Sequence, residues 1–427
     1  MKSLEIERSL PRFAAARLAA VLGSGRGAGI GPLRLVEGAT PELPGADWSL
    51  VHPRLSGICG SDLSTIDGRT SRYFEALVSF PFVPGHEVVA TMDEPGRTAQ
   101  GSVAAAESRV VLEPVLGCVA RGIEPRCAAC ATGRTGDCEH VAFGHLSPGL
   151  QTGFCCDTGG GWSAAGIAAH ESQLHLVPEA MSDEDAVTVE PLACAIHAVL
   201  GAGIDDGDVV AVIGAGTLGL LVTAAAGHLS STGAMATPAS LLVGARYVHQ
   251  RRWAERFGAT GALDAEQLAR AVRRRSRSLA LGASAVGAER LTGGADIVFD
   301  CVGSAASIEA ALDMVRPRGR VVLVGMPGRL HLDLAALWHR EVALVGAYAY
   351  GTEKVRGEHG PTSVRTFDLA FEAAAALGTG RLVSATYPIE RFEEALAHAG
   401  AAGRRGAVKI AFDLRSARRG TTKGPTT

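Results

Sequence analysis

Between Val209 and Gly227 the chain runs for 19 residues without a charged side chain, and few structures accommodate such a stretch. A membrane span needs a continuous apolar helix of about that length, which Gly214, Gly216 and Gly219 interrupt. The same residues read as a strand (VVAVI), a glycine turn (GAGTLG) and an Ala-rich helix over 217–229. Strand, GxGxxG and helix in that order form a fingerprint for dinucleotide binding. The first glycine permits the sharp turn, the second lets backbone approach a pyrophosphate, and the third lets the helix pack on the strand. Gly214, Gly216, Thr217, Leu218 and Gly219 are therefore candidate cofactor-binding residues, the helix N-terminus offering N–H groups and a positive dipole end to phosphates.

The pattern continues as strand (SLLVGA), helix (248–257), strand (ADIVFD), helix (304–315) and strand (RVVLVG). This alternation predicts a doubly wound parallel sheet covered by helices on both faces. The second strand reports on the cofactor, because an acid at its end would bond the ribose hydroxyls and repel a 2′-phosphate. Here the strand ends in Gly244-Ala245-Arg246. A small residue stands where the carboxylate is expected, followed by a guanidinium able to pair with phosphate, so NADP(H) is favoured over NAD(H).

A chain of 427 residues exceeds what one core usually supports, so at least two domains are expected. From about 45 to 180, short apolar runs separated by Gly and Pro predict a largely β region. Ser182-Asp-Glu-Asp185 signals a helix start, and AVTVEPLACAIHAVLGAG after it has the length of a buried helix. Beyond 348 the sequence predicts helices near 365–377 and 390–399, a strand around YPI and a last strand, VKIAFDL. With 41 basic against 44 acidic residues, the charge balance argues against nucleic acid as a partner. The charged N-terminus gives no convincing secretory signal, which points to a cytoplasmic protein.

Nine cysteines in such a compartment are not assumed to form disulfides. Cys127-x-x-Cys130 and Cys138 are close in sequence, Cys118 lies just upstream, and Cys59 stands alone in GICGSD. Cys155, Cys156, Cys194 and Cys301 read as small buried hydrophobes.

Gly57-Ile-Cys59-Gly-Ser61-Asp62, Pro84-Gly85-His86-Glu87, the cysteine cluster, Glu190-Pro191 and the GAGTLG turn together give the chain a resemblance, from about 30 to 413, to the zinc-containing medium-chain alcohol and polyol dehydrogenases. The resemblance implies an α/β protein in which a chaperonin-10-like, β-rich catalytic domain carries an inserted Rossmann domain. The expected division is 1–195 for the first part of the catalytic domain with the loop 118–138, 196–347 for the NADP-binding domain, 348–414 for the second part of the catalytic domain, and 415–427 as a flexible tail.

A catalytic zinc needs about three protein ligands and one open position, and Cys59, His86 and an acid can supply them. Resemblance assigns Cys59 and His86 to the ion and offers both Glu87 and Glu190 as the acid. Asp62 has the short carboxylate suited to orient His86 from behind. Ser61 matches a family hydroxyl that contacts the substrate oxygen, while Ser64 stands where several relatives continue a proton relay with histidine. Cys118, Cys127, Cys130 and Cys138 provide four thiolates, a closed and therefore structural zinc site. The eight residues VARGIEPR separate its first two cysteines where two residues are usual in the family. A redox CxxC pair and a nucleic-acid zinc ribbon are the weaker readings.

The function expected is hydride transfer between NADP(H), less favourably NAD(H), and a secondary alcohol or polyol and its carbonyl partner. One catalytic and one structural zinc are implied, and a homo-oligomer, dimer or tetramer, with no membrane partner. An amino-alcohol dehydrogenase of the threonine type and a non-catalytic, zinc-stabilised NADP-binding module are the alternatives.

Overall fold

The computed structural model describes residues 1–281, 290–357 and 359–416, so the expected tail from 417 onward lies outside the described residues. The chain divides into two units, Met1–Glu190 with the residues from Gly378 on, and Pro191–Leu377.

In the first unit a seven-stranded sheet runs in the order Val383–Tyr387, Lys409–Asp413, Trp48–Gly57, Val88–Met92, Arg109–Leu112 and Leu174–Leu176, with Ile167–His170 also paired to Trp48–Gly57. All neighbours are antiparallel except the two C-terminal strands. Ala411 pairs with Gly57 and Phe412 with Ser56, so strand Lys409–Asp413 is built into the same sheet as strand Trp48–Gly57. One core beneath it gathers Leu4, Ile6, Phe82, Trp162, Ile410 and Phe412. Trp162 is fully buried and meets Phe412 edge-on at 5.0 Å, a geometry worth about 1 kcal/mol beyond the area it hides. A second core of Val51, Val88, Ala90, Val110 and Ile167 lies along the strands.

Two features of this unit depart from the sequence reading. The paired strands Lys2–Ile6 and Leu33–Glu37 are separated by an inserted helix, Leu10–Ala19. The single helix expected after Ser182 is two, Asp183–Ala186 and Val189–Gly201. Ser182 does cap the first, accepting the Asp185 N–H at 3.0 Å. At the break, the Thr188 hydroxyl bonds Asp185 O at 2.7 Å and Thr379 Oγ1 at 2.6 Å, tying the junction to the C-terminal segment.

The second unit holds six parallel strands in the order Gly261–Leu263, Ser240–Gly244, Val209–Ile213, Ala295–Asp300, Val315–Leu323 and Ala343–Gly346. In chain order this is 3-2-1-4-5-6, the doubly wound arrangement. Helices Thr217–Ser231, Val248–Arg256, Leu268–Ser276 and Ala305–Met314 alternate with the strands, and the 19-residue uncharged run is thus a strand and a helix. Among the described residues no helix is long and apolar enough to cross a membrane. The boundary expected at 347 moves to Leu377. Packing explains the shift: Tyr350 meets Phe367 at 4.8 Å, and Arg356 N bonds Ala234 O at 2.8 Å. Helix Thr366–Leu377 buries Phe367, Ala370, Ala373 and Ala374. The described residues of 348–377 therefore group with the second unit.

Candidate metal centres and cofactor turn

Cys59 ends the corner after strand Trp48–Gly57 and is the N-cap of helix Gly60–Ile66. Asp62, one turn in, accepts the Cys59 N–H at 2.9 Å through Oδ2 and turns Oδ1 toward His86 Nδ1 at 3.5 Å. His86 and Glu87 enter strand Val88–Met92, which lies beside Trp48–Gly57. The sheet thus brings together donors that are distant in sequence: ligand atoms of Cys59, His86 and Glu87 lie within 4.8 Å of one another. Asp62, His86 and Glu87 are all buried.

Burial alone would disfavour a charged imidazole, but the Asp62 carboxylate and the Cys59 sulfur hold His86 well above the usual histidine range. Asp62 Oδ1 and His86 Nδ1 are buried without a well-formed hydrogen bond, an arrangement that a cation on the imidazole would compensate. Sulfur, imidazole and carboxylate are the donors a catalytic zinc uses, with room for a further ligand. The residues fit that ion. Phe154 packs its ring 5.8 Å from that of His86. Ser61 is half-buried in the first turn of the Cys59 helix, and Ser64 is on its next turn. Glu190 is buried at the start of helix Val189–Gly201 and is not among the three residues whose donor atoms converge.

The second cluster is local. Cys118, Cys127, Cys130 and Cys138 are buried, free of disulfides and mutually within 4.8 Å. Sulfurs on a tetrahedron with zinc bonds of about 2.3 Å would be roughly 3.8 Å apart, and Cys118 and Cys138 lie 3.7 Å apart. Backbone N–H groups of Cys127, Cys130 and His140 point at the sulfurs of Cys118, Cys127 and Cys138, each at 3.4 Å. Burial works against the Cys127 thiolate, yet the N–H groups of Cys130 and Glu139 bring that thiol down to about 6. Burial pushes Cys130 up and Cys138 up to about 11. His140 Nδ1 lies 3.3 Å from the Cys118 sulfur.

The eight-residue spacer has a residue that sequence reasoning passed over. Arg121 is fully buried, its guanidinium donating to the carbonyls of Leu116, Phe143, Leu146, Ser147 and Gly149 at 2.6–3.3 Å. One cation thus pins the spacer to the loop that follows the cluster, so the extra residues are absorbed without displacing Cys118. An isolated arginine inside a spacer carries no periodicity that would reveal this.

At the glycine turn, Gly214 has a φ of +89°, and a Cβ on Gly219 would lie 1.9 Å from Gly214 O. Both positions therefore require glycine. A Cβ on Gly216 would meet no protein atom within 4 Å, and no side chain caps helix Thr217–Ser231 there. This is a cradle open to a phosphate group. Thr217 and Leu218 form its first turn. Arg246 is exposed just beyond strand Ser240–Gly244, whereas its neighbour Arg251 is bound to Ala245 O and Asp264.

Comparison with known proteins adds to this geometry. Residues 45–179 match the family model described as alcohol dehydrogenase GroES-like domain, and residues 225–359 match that described as zinc-binding dehydrogenase. Sorbitol dehydrogenase of Bacillus subtilis is 25% identical over 356 residues, covering 83% of this chain and 86% of the relative. L-idonate 5-dehydrogenase of Vitis vinifera is 29% identical over 324 residues, covering 75% of this chain and 78% of the relative. Among solved structures, a zinc-binding dehydrogenase from Sinorhizobium meliloti bound to NADP is similar in fold, with a TM-score of 0.61, 23% identity and coverage of 89% and 95% of the two chains.

Proposed function

Because the chain belongs to the zinc-containing medium-chain alcohol and polyol dehydrogenases, and is an oxidoreductase of alcohols or polyols, we propose that it transfers hydride between NADP(H) and a secondary alcohol or polyol. The observation that carries this reading is the convergence of Cys59, His86 and Glu87 donor atoms within 4.8 Å, backed by Asp62. Cys59, His86 and one of Glu87 and Glu190 would hold a zinc ion, which when bound would supply Lewis-acid polarisation of the substrate oxygen. Asp62 fixes the His86 ring and raises its basicity as a ligand. Ser61 offers its hydroxyl to the substrate and takes part in moving the alcohol proton outward. Gly214, Gly216, Thr217, Leu218 and Gly219 hold the pyrophosphate, and Arg246 pairs with a 2′-phosphate.

The names of the sorbitol and idonate enzymes support a polyhydroxylated substrate over a simple alcohol. Cys118, Cys127, Cys130 and Cys138 hold a second, structural zinc. Nine cysteines without a disulfide fit a reducing cytoplasm. The sheet edge Ala343–Gly346, with Trp338, Leu344, Val345 and Tyr348 exposed beside it, supports a homo-oligomer in which a second copy covers that edge.

The deciding experiment is a screen of polyols, threonine and simple alcohols with NADP and with NAD, following reduced-nicotinamide absorbance, on protein whose zinc content and mass in solution are measured. Polyol oxidation with NADP, two zinc ions per chain and a mass above that of the monomer are expected. Turnover with NAD alone overturns the role of Arg246, turnover of threonine alone moves the substrate to amino alcohols, and a monomer removes the edge contact.

A further inference from the structure

Lys409 is among the largest fully buried side chains of the protein, 1% exposed. A lysine brings its charge into an interior only where that charge is paired. Its strand, Lys409–Asp413, is paired to Trp48–Gly57, which carries the ammonium to the corner before Cys59. There Nζ donates to Ile58 O at 3.2 Å and is ion-paired with Glu87 Oε2. A Cβ on Gly57 would lie 1.9 Å from Glu87 Oε2 and 2.8 Å from Lys409 Cε. The pair is therefore packed against bare backbone, and no larger residue fits at Gly57. Glu87 thus belongs to two groupings at once, the three-donor cluster and the ammonium pair.

We propose that Lys409 is a positioning residue of the Cys59–His86 centre: it holds Glu87 through Oε2, restrains that carboxylate from closing on the ion, and so keeps a coordination position open to substrate. The inference rests on the zinc reading above. Charge supports it. Cys59 as thiolate, Asp62 and Glu87 bring three negative charges into one buried place, and Lys409 neutralises one. Without the ammonium, Glu87 is a buried carboxylate whose nearest cation is the metal, and a buried charge left unpaired closes on whatever partner is within reach.

The test compares wild type with Lys409→Met, Lys409→Arg, Glu87→Gln and the Lys409→Met/Glu87→Gln double variant. Lys409→Met is expected to give up zinc to a chelator more slowly than wild type, while kcat/KM falls by roughly 10–100-fold. With cobalt(II) added to zinc-stripped protein, its visible bands shift from those of wild type and no longer respond to added alcohol. The four-cysteine site contributes equally to both spectra and cancels in the difference. Lys409→Arg restores the wild-type bands, and in the Glu87→Gln background Lys409→Met changes nothing further. Weaker zinc retention in Lys409→Met, or cobalt bands identical to wild type, overturns the proposal. If wild type binds metal only at the four cysteines, the zinc reading falls and this inference with it. Two ions per chain with an unresponsive Lys409→Met overturn the inference alone.

Discussion

Cys118, Cys127, Cys130 and Cys138 come from one loop, offer a single donor type and have their sulfurs met by backbone N–H groups of that same loop. Cys59, His86 and Glu87 come from a helix cap and a neighbouring strand, offer three donor types and are surrounded by Asp62, Lys409 and Phe154. The difference teaches what each can do. Four identical donors saturate a tetrahedral ion, so binding energy is spent on ordering the loop. Mixed donors backed by a carboxylate and an ammonium leave an ion unsaturated and adjustable, which is what chemistry requires.

The largest effect that would sharpen this contrast is on stability. Cys127→Ser should cost the structural ion and a large part of the on the order of 10 kcal/mol that such a site contributes. Thermal unfolding is expected to shift down strongly and the zinc count to fall by one. Activity per folded molecule should survive, and an unchanged melting curve breaks the assignment of the loop as structural.

Next in size, Cys59→Ala should leave the fold and one zinc per chain in place while removing several kcal/mol of transition-state stabilisation, on the order of 10³-fold in kcat/KM. Steady-state kinetics beside metal analysis checks it. Full activity in that variant would show that the mixed cluster is not where the reaction occurs. Asp62→Asn, which keeps the shape and removes the charge facing His86, is expected to have a smaller effect, roughly 10–100-fold on zinc affinity by chelator competition.

The smallest effect is in pH dependence and is read on metal-free protein. His86 is held above its unfolded value by Asp62 and Cys59, against burial. Its contribution to stability is therefore complete below the usual histidine value near 6.5 and is lost as pH rises through the raised value. Cys138, pushed up to about 11 by burial, loses its contribution with the same sign in a more alkaline window. Urea unfolding of stripped protein should weaken from neutral pH upward, and His86→Gln should abolish the lower-pH part of the trend. Stability that rises with pH in that range contradicts the Asp62–His86 coupling.

The strand–turn–helix at 209–231 was legible because each step is local: glycine conformation, apolar periodicity and helix length all act within a few residues. The cysteine loop was legible for the same reason, since its spacing nearly states the site. Lys409 was not, because a lone lysine in an apolar strand gives no sign of its partner until register places it beside Ile58 and Glu87. Arg121 and Phe154 escaped likewise. The helix Thr366–Leu377 shows its period in the sequence but not its packing partner, and it groups with the unit Pro191–Leu377.

By itself the sequence determined which elements form and which donors are available, since propensity, periodicity and ligand chemistry reside in individual residues and short spacings. Tertiary structure alone decided that donor atoms of Cys59, His86 and Glu87 converge, and that a lysine more than three hundred positions further along the chain stands with them. Those contacts depend on strand register and buried charge pairing, which join residues hundreds of positions apart and have no expression in local pattern.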